Sequence, residues 1–303
     1  MSISRERLRT LLGLADTDLA LEARETEERG THVVERLRFR SLRNGAEIRG
    51  LLTRPLGNDG KKPAILYAHA HGGRYEIGAN ELLEGRPALL GPPGPLLAEH
   101  GFVTLCIDMP TFGERSTVAE SAAAKAALWY GRTLFGQMLS EQRAALTWLS
   151  SRDDVDTDRI GMTGISMGAT LSYFLAALDE RIAATAHLCS FADFASLIET
   201  GAHDRHGHYL TVPGLLSETS TGAIAGLVAP RPQLICVGLD DPLTPPPAVE
   251  RAYAETLAAY RTADAEGDVS LVAEPGIGHV ETRTMRHAVL AFLARHLGGT
   301  RDD

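Results

Sequence analysis

The sequence predicts a single α/β domain built on a mostly parallel central sheet with helices on both faces. Three observations predict it. Short, nearly continuous apolar runs recur at residues 63–68, 102–107, 159–163, 182–189, 233–237 and 269–273, as strands buried on both faces of a parallel sheet require. Stretches with helical apolar spacing lie between them, at 95–100, 122–151, 167–178, 247–261 and 284–297. The residues best suited to carry chemistry, Ser166, the pair Asp240-Asp241 and His279, each stand just past an apolar run. That is where an open α/β sheet gathers its ligands, at the carboxyl ends of its strands.

Bulk properties bound the reading. A chain of 303 residues suits one such unit, and 44% hydrophobic with 23% charged residues is ordinary globular composition. The formal net charge of −9 and the lack of a basic stripe argue against a nucleic-acid partner. No apolar run reaches the length of a membrane span, and the first seven residues lack the apolar core of a signal peptide. Cys106, Cys189 and Cys236 are odd in number and lie in or beside apolar runs. They read as small buried hydrophobes, which predicts a reducing, cytoplasmic setting.

In chain order, residues 4–29 are rich in Leu, Glu, Arg and Ala, with Leu8, Leu11, Leu12, Leu19 and Leu21 as apolar positions. This predicts an N-terminal helical arm over residues 1–31, ahead of the domain at 32–303. The arm can pack on its own domain or on a second copy, and a homodimer is the expected state. Residues 32–40 and 46–54 alternate as an antiparallel pair, joined through Arg43-Asn44-Gly45. The run at 63–68 ends in His69-Ala70-His71-Gly72-Gly73, and the run at 102–107 ends at Asp108. Residues 191–228 form a long excursion between two strands, expected to make a pocket wall or a lid. It carries His203, His206 and His208 beside Asp204, and the three read as surface histidines more readily than as metal ligands. There is no internal repeat and no low-complexity linker.

Gly164-Ile165-Ser166-Met167-Gly168 fits a nucleophile elbow, in which a serine is pushed up on a tight strand-to-helix turn. Glycines two residues before and after keep side chains out of that turn. The plainer reading of Ser166 is a helix N-cap, but the apolar strand before it and the Ala/Leu-rich helix after it are what an elbow needs. A serine hydroxyl becomes a good nucleophile when a base takes its proton, and the base needs an acid to fix its tautomer. His279 in Pro275-Gly276-Ile277-Gly278-His279 supplies the base, with His287 set aside because it falls in a predicted helix. The loop Gly238-Leu239-Asp240-Asp241-Pro242 supplies two adjacent carboxylates. The chain order serine, acid, histidine differs from those of the chymotrypsin and subtilisin folds.

With these motifs the chain resembles the α/β-hydrolase superfamily over about residues 45–297, in particular the dienelactone hydrolase and acetyl xylan esterase-like acyl esterases. The resemblance implies Gly-x-x-Asp as the acid loop, so that counting from Gly238 selects Asp241, with Asp240 as the alternative. It implies an oxyanion hole made by the backbone N–H of Met167 and a donor after the 63–68 strand. There His69-Ala70-His71-Gly72 departs from the usual His-Gly at Ala70, and the donor is His71, with Gly72 next. Asp108-Met109-Pro110-Thr111-Phe112-Gly113 matches a family loop with Thr111 in place of a glycine, and its carboxylate is expected to be a structural anchor.

The implied activity is that of a serine esterase cleaving a small or medium acyl ester, with no organic cofactor and no metal. Its expected partner is a small-molecule ester, with neither nucleic acid nor membrane involved. Two alternatives keep the fold: a peptidase of the acylaminoacyl-peptidase type, and a non-catalytic binding protein. The residues ahead of the first buried strand are too few for the propeller that such peptidases carry, and no triad member is missing. Dehalogenase chemistry places an aspartate at the elbow, so Ser166 counts against it.

Overall fold

The computed structural model describes residues 3–57 and 60–298. The chain begins with α1 (Arg5–Leu12), capped by the Ser4 hydroxyl and closed by Gly13 in the left-handed region. Three antiparallel strands follow: β1 (Leu19–Arg29), β2 (His32–Ser41) and β3 (Glu47–Pro55). The alternating part comprises β4 (Lys62–Ala68), the short α2 (Glu81–Glu84), α3 (Pro93–Glu99), β5 (Val103–Ile107), α4 (Glu120–Trp129), α5 (Leu134–Ser150), β6 (Val155–Ile165) and α6 (Met167–Leu178). After β7 (Ala184–Leu188) come three short helices, α7 (Phe194–Thr200), α8 (Leu215–Glu218) and α9 (Thr221–Gly226). The chain then runs through β8 (Gln233–Gly238), α10 (Pro246–Thr262), β9 (Val269–Glu274) and α11 (Arg283–Leu297).

The strands form one sheet in the order β1-β2-β3-β5-β4-β6-β7-β8-β9. Pairing is antiparallel from β1 to β5 and parallel from β5 to β9. Strand order reverses at β4, whose chain continues to β5 on one side before β6 takes the other. The crevice between the carboxyl ends of β4 and β6 is therefore the place where such a sheet binds ligands. Successive residues of β4 face opposite layers: Ala64, Leu66 and Ala68 pack with α1, α5 and α6, whereas Ile65 and Tyr67 pack with α3 and α11.

Two expectations are corrected. The N-terminal arm is helical only over Arg5–Leu12, and residues 19–29 form the edge strand β1. Their Glu/Arg-rich composition favours a helix locally. Pairing with β2 overrides it, because Glu22 meets Arg40 and Arg24 meets Glu35 across the strands. The arm folds onto its own domain: Leu8 and Leu12 are fully buried, and Arg5 donates to the carbonyls of Ala177 and Leu227. The single helix expected at 122–151 is two, broken where Gly131 adopts φ 67° and Thr133 caps α5 through Gly136 N–H.

Residues 191–228 pack into the body of the domain. Phe191, Tyr209, Leu215, Ile224 and Ala225 all join the core on the α6 face. All three cysteines are free and buried. No helix among the described residues is long and apolar enough to cross a membrane.

Candidate active site

β6 delivers Ser166 at the reversal point of the sheet. Ser166 has φ 59° and ψ −122°, a conformation that is costly for a residue with a side chain, and it is half-exposed while every residue of α6 behind it is buried. The flanking glycines have a direct steric cause. A Cβ on Gly164 would lie 2.4 Å from the carbonyl oxygen of Ala68 at the end of β4, and one on Gly168 would lie 1.9 Å from the same atom. The Ser166 N–H is taken by Leu188 O of β7 at 2.9 Å, which fixes the turn from its other side. Met167 opens α6, so its N–H is one of those that a helix leaves without an intrahelical partner.

Asp241 follows β8 and is 1% exposed. Its Oδ2 accepts from His279 Nδ1 at 2.6 Å and its Oδ1 from the Leu243 N–H at 2.9 Å. Asp240 is exposed and meets the histidine loop through its backbone, donating to Ile277 O at 2.9 Å. The structure thus pairs Asp241, not Asp240, with His279. With its Nδ1 proton given to the carboxylate, the imidazole keeps the lone pair of Nε2 for a proton from elsewhere. His287 lies on α11, exposed and away from this pairing. Val280, next to His279, is tied through its carbonyl to the Cys189 thiol at 3.6 Å, and Cys189 directly follows the Leu188 that holds Ser166. The three predicted triad residues therefore share one edge of the sheet. The structure joins Asp241 and His279 by a hydrogen bond and shows none between Ser166 and His279.

The loop after β4 is fixed by contacts that the sequence did not announce. His69 is fully buried; its Nδ1 donates to Ala70 O at 3.0 Å and its Nε2 accepts from the Met109 N–H at 3.1 Å. Burial lowers its pKa to about 4, so it is a neutral strut between two loops. Ala70, which stands where a glycine was expected, is clamped at both ends of its backbone. Its N–H donates to Glu81 Oε2 at 3.0 Å and its carbonyl accepts from Arg86 Nη2 at 2.9 Å. Glu81 also takes the Tyr67 hydroxyl at 2.6 Å and pairs with Arg86. Burial pushes the Glu81 carboxyl up against the opposing pull of Arg86 and Tyr67. The His71 ring is held at both nitrogens, accepting from the Gly73 N–H at 3.0 Å and meeting Glu120 at 2.8 Å.

Asp108 serves as the anchor expected of it. It binds Arg49 at 3.1 and 3.2 Å and accepts from the N–H groups of Ala79 at 2.7 Å and Glu114 at 3.0 Å. Thr111, where the resemblance implies a glycine, takes φ 72°. Of the histidines in residues 191–228, His206 reaches the acid loop, its Nε2 lying 3.1 Å from Leu243 O. Among the described residues no group of three or more His, Cys, Asp or Glu side chains is placed to hold a metal ion.

The profile of the family described as X-Pro dipeptidyl-peptidase (S15 family) matches residues 44–228. YtaP of Bacillus subtilis (strain 168), itself only provisionally called a hydrolase, is 38% identical over 296 residues, covering 97% of this chain and 98% of that protein. Among solved structures, methylesterase BT1017 superposes with a TM-score of 0.73 at 23% identity. That match covers 98% of this chain, and the chain spans 63% of the length of that protein. Acetyl xylan esterase 1 of Thermoanaerobacterium sp. gives a TM-score of 0.65 at 18% identity, covering 96% of this chain and 92% of that one. At these identities the structural likenesses establish the α/β-hydrolase fold.

Proposed function

Because the chain belongs to the S15 family of α/β-hydrolases, we propose that it is a serine hydrolase cleaving a carboxylic ester of a small or medium acyl group. The observation that carries this reading is the 2.6 Å hydrogen bond between His279 and Asp241 on the same sheet edge as the elbow serine. In this reading His279 Nε2 takes the Ser166 proton as Oγ attacks the ester carbonyl. The N–H groups of Met167 and His71 receive the oxyanion, and Asp241 stabilises the imidazolium. The imidazolium then protonates the departing alcohol. A water activated by the same imidazole cleaves the acyl-enzyme, releasing the acid and restoring Ser166. The esterase names of the structural neighbours support an ester substrate.

A second reading, cleavage after a proline of a short peptide, is favoured by the family description alone. The match ends at residue 228, ahead of Asp241 and His279. Hydrolysis of p-nitrophenyl esters from acetate to dodecanoate, beside an Ala-Pro p-nitroanilide, separates the two readings. Ester turnover favouring the short chains, lost in Ser166→Ala, is expected. Turnover of the anilide alone would establish the peptidase, and ester turnover that survives Ser166→Ala would overturn the assignment of the nucleophile.

A further inference from the structure

Glu120 lies outside the triad at the start of α4 and is 4% exposed. It gathers donors from three directions. Its Oε2 is 2.8 Å from His71 Nε2 and 2.6 Å from the Tyr75 hydroxyl, and its Oε1 accepts from the Tyr209 N–H at 2.5 Å. Since His71 Nδ1 already accepts the Gly73 N–H, the ring proton sits on Nε2 and is donated to the carboxylate. Burial pushes the Glu120 carboxyl up, but His71, Tyr75 and the Tyr209 N–H together hold it below the usual carboxylate range.

Tyr209 belongs to the 191–228 segment, and two residues before it the backbone closes on the same place. A Cβ on Gly207 would lie 2.7 Å from both Glu120 Oε1 and His71 Nε2. The preceding residue, His206, reaches Leu243 O, and the Leu243 N–H in turn binds Asp241. A continuous line of contacts thus crosses the carboxyl-end face from the acid loop to the loop after β4. It ends on one carboxylate.

On the reading of His71 as an oxyanion donor, on which this inference rests, we propose that Glu120 is the positioning residue for that donor. Its carboxylate fixes the His71 ring, and through the ring the backbone N–H that would meet the oxyanion. The same carboxylate seats the 191–228 segment against that residue by way of Tyr209. An amide at position 120 has the same shape but accepts at one end only. It must therefore oppose a donor either at His71 and Tyr75 or at Tyr209.

Removal of an oxyanion donor costs about 10²–10³ in kcat, and misplacing one costs part of that. Glu120→Gln is therefore expected to lower kcat on p-nitrophenyl acetate about 10–10²-fold, with KM changed less than about threefold. Affinity for a trifluoromethyl ketone, which the serine converts to a tetrahedral adduct carrying an oxyanion, is expected to fall by the same factor as kcat. A purely structural role would lower the unfolding midpoint without this split. Wild-type kcat and ketone affinity in folded Glu120→Gln would overturn the proposal. Should that variant not fold, His71→Asn removes the ring that Glu120 holds and keeps the backbone N–H. The same fall is expected there, and wild-type kcat would overturn the proposal equally. Ester turnover in the wild type that does not depend on Ser166 defeats the parent reading and this one with it. Ser166-dependent turnover with an unaffected Glu120→Gln defeats this one alone.

Discussion

A methyl group added at Gly168 would stand 1.9 Å from a backbone carbonyl of β4, an atom that cannot move without disturbing the sheet. Gly168→Ala is expected to destabilise the fold by about 1–3 kcal/mol, read as a lower denaturation midpoint, because overpacking forces the backbone to shift. The adjacent carboxylates at 240 and 241 give a sharper contrast. Asp241→Asn should lower kcat about 10³–10⁴-fold through loss of the correct His279 tautomer, while the exposed Asp240→Asn should keep wild-type kcat. Ser166, Asp241 and His279 could be picked out in the sequence as candidates because each proposed role demands a residue type just past a strand, and the structure joins the last two by a hydrogen bond. Glu81, Arg86 and Glu120 were not. They act on backbone or on a ring in another loop, and nothing in their local sequence marks the partner that Glu120 meets 49 residues away.

Elements were legible where burial on both faces writes a continuous apolar run, as in β4, β5 and β8, and where apolar spacing repeats every turn, as in α6 and α11. β1 was not, because an exposed edge strand has no apolar face to announce it and its glutamates and arginines read as helix. What holds this end of the sheet is Glu35 of β2, 2% exposed among Arg24, Arg54 and Arg152. Burial pushes its carboxyl up, but the arginines, Arg152 foremost, hold it below the usual carboxylate range. Arg152→Ala removes the most buried of these partners and strands part of a buried charge. A loss of about 3 kcal/mol in denaturant unfolding is expected, with activity in the surviving folded protein unchanged.

Over the whole molecule the sequence conveyed the layers but not the strand order, since nothing local says that β3 pairs antiparallel with β5 or that β4 lies between β5 and β6. That order is what brings the loop after β4 beside the elbow. The molecule also carries a pH dependence of stability. Burial lowers the pKa of His69 to about 4 and that of His187 to about 3, so between pH 6.5 and those values the unfolded chain takes up protons that the folded one refuses. Stability from these groups is complete above about pH 6.5 and declines as the pH falls toward 4 and 3. Thermal midpoints measured from pH 8 to pH 4 should be level at first and then descend, less steeply in His187→Gln, which cannot be protonated. The central claim concerns one oxygen atom, and trapping it tests the claim most directly. After incubation with an alkyl fluorophosphonate, intact-mass measurement and peptide mapping should find a single phosphonyl group per chain, on Ser166, absent from Ser166→Ala and formed much more slowly in Asp241→Asn. A protein that hydrolyses esters yet is labelled at another residue, or not at all, would contradict the account.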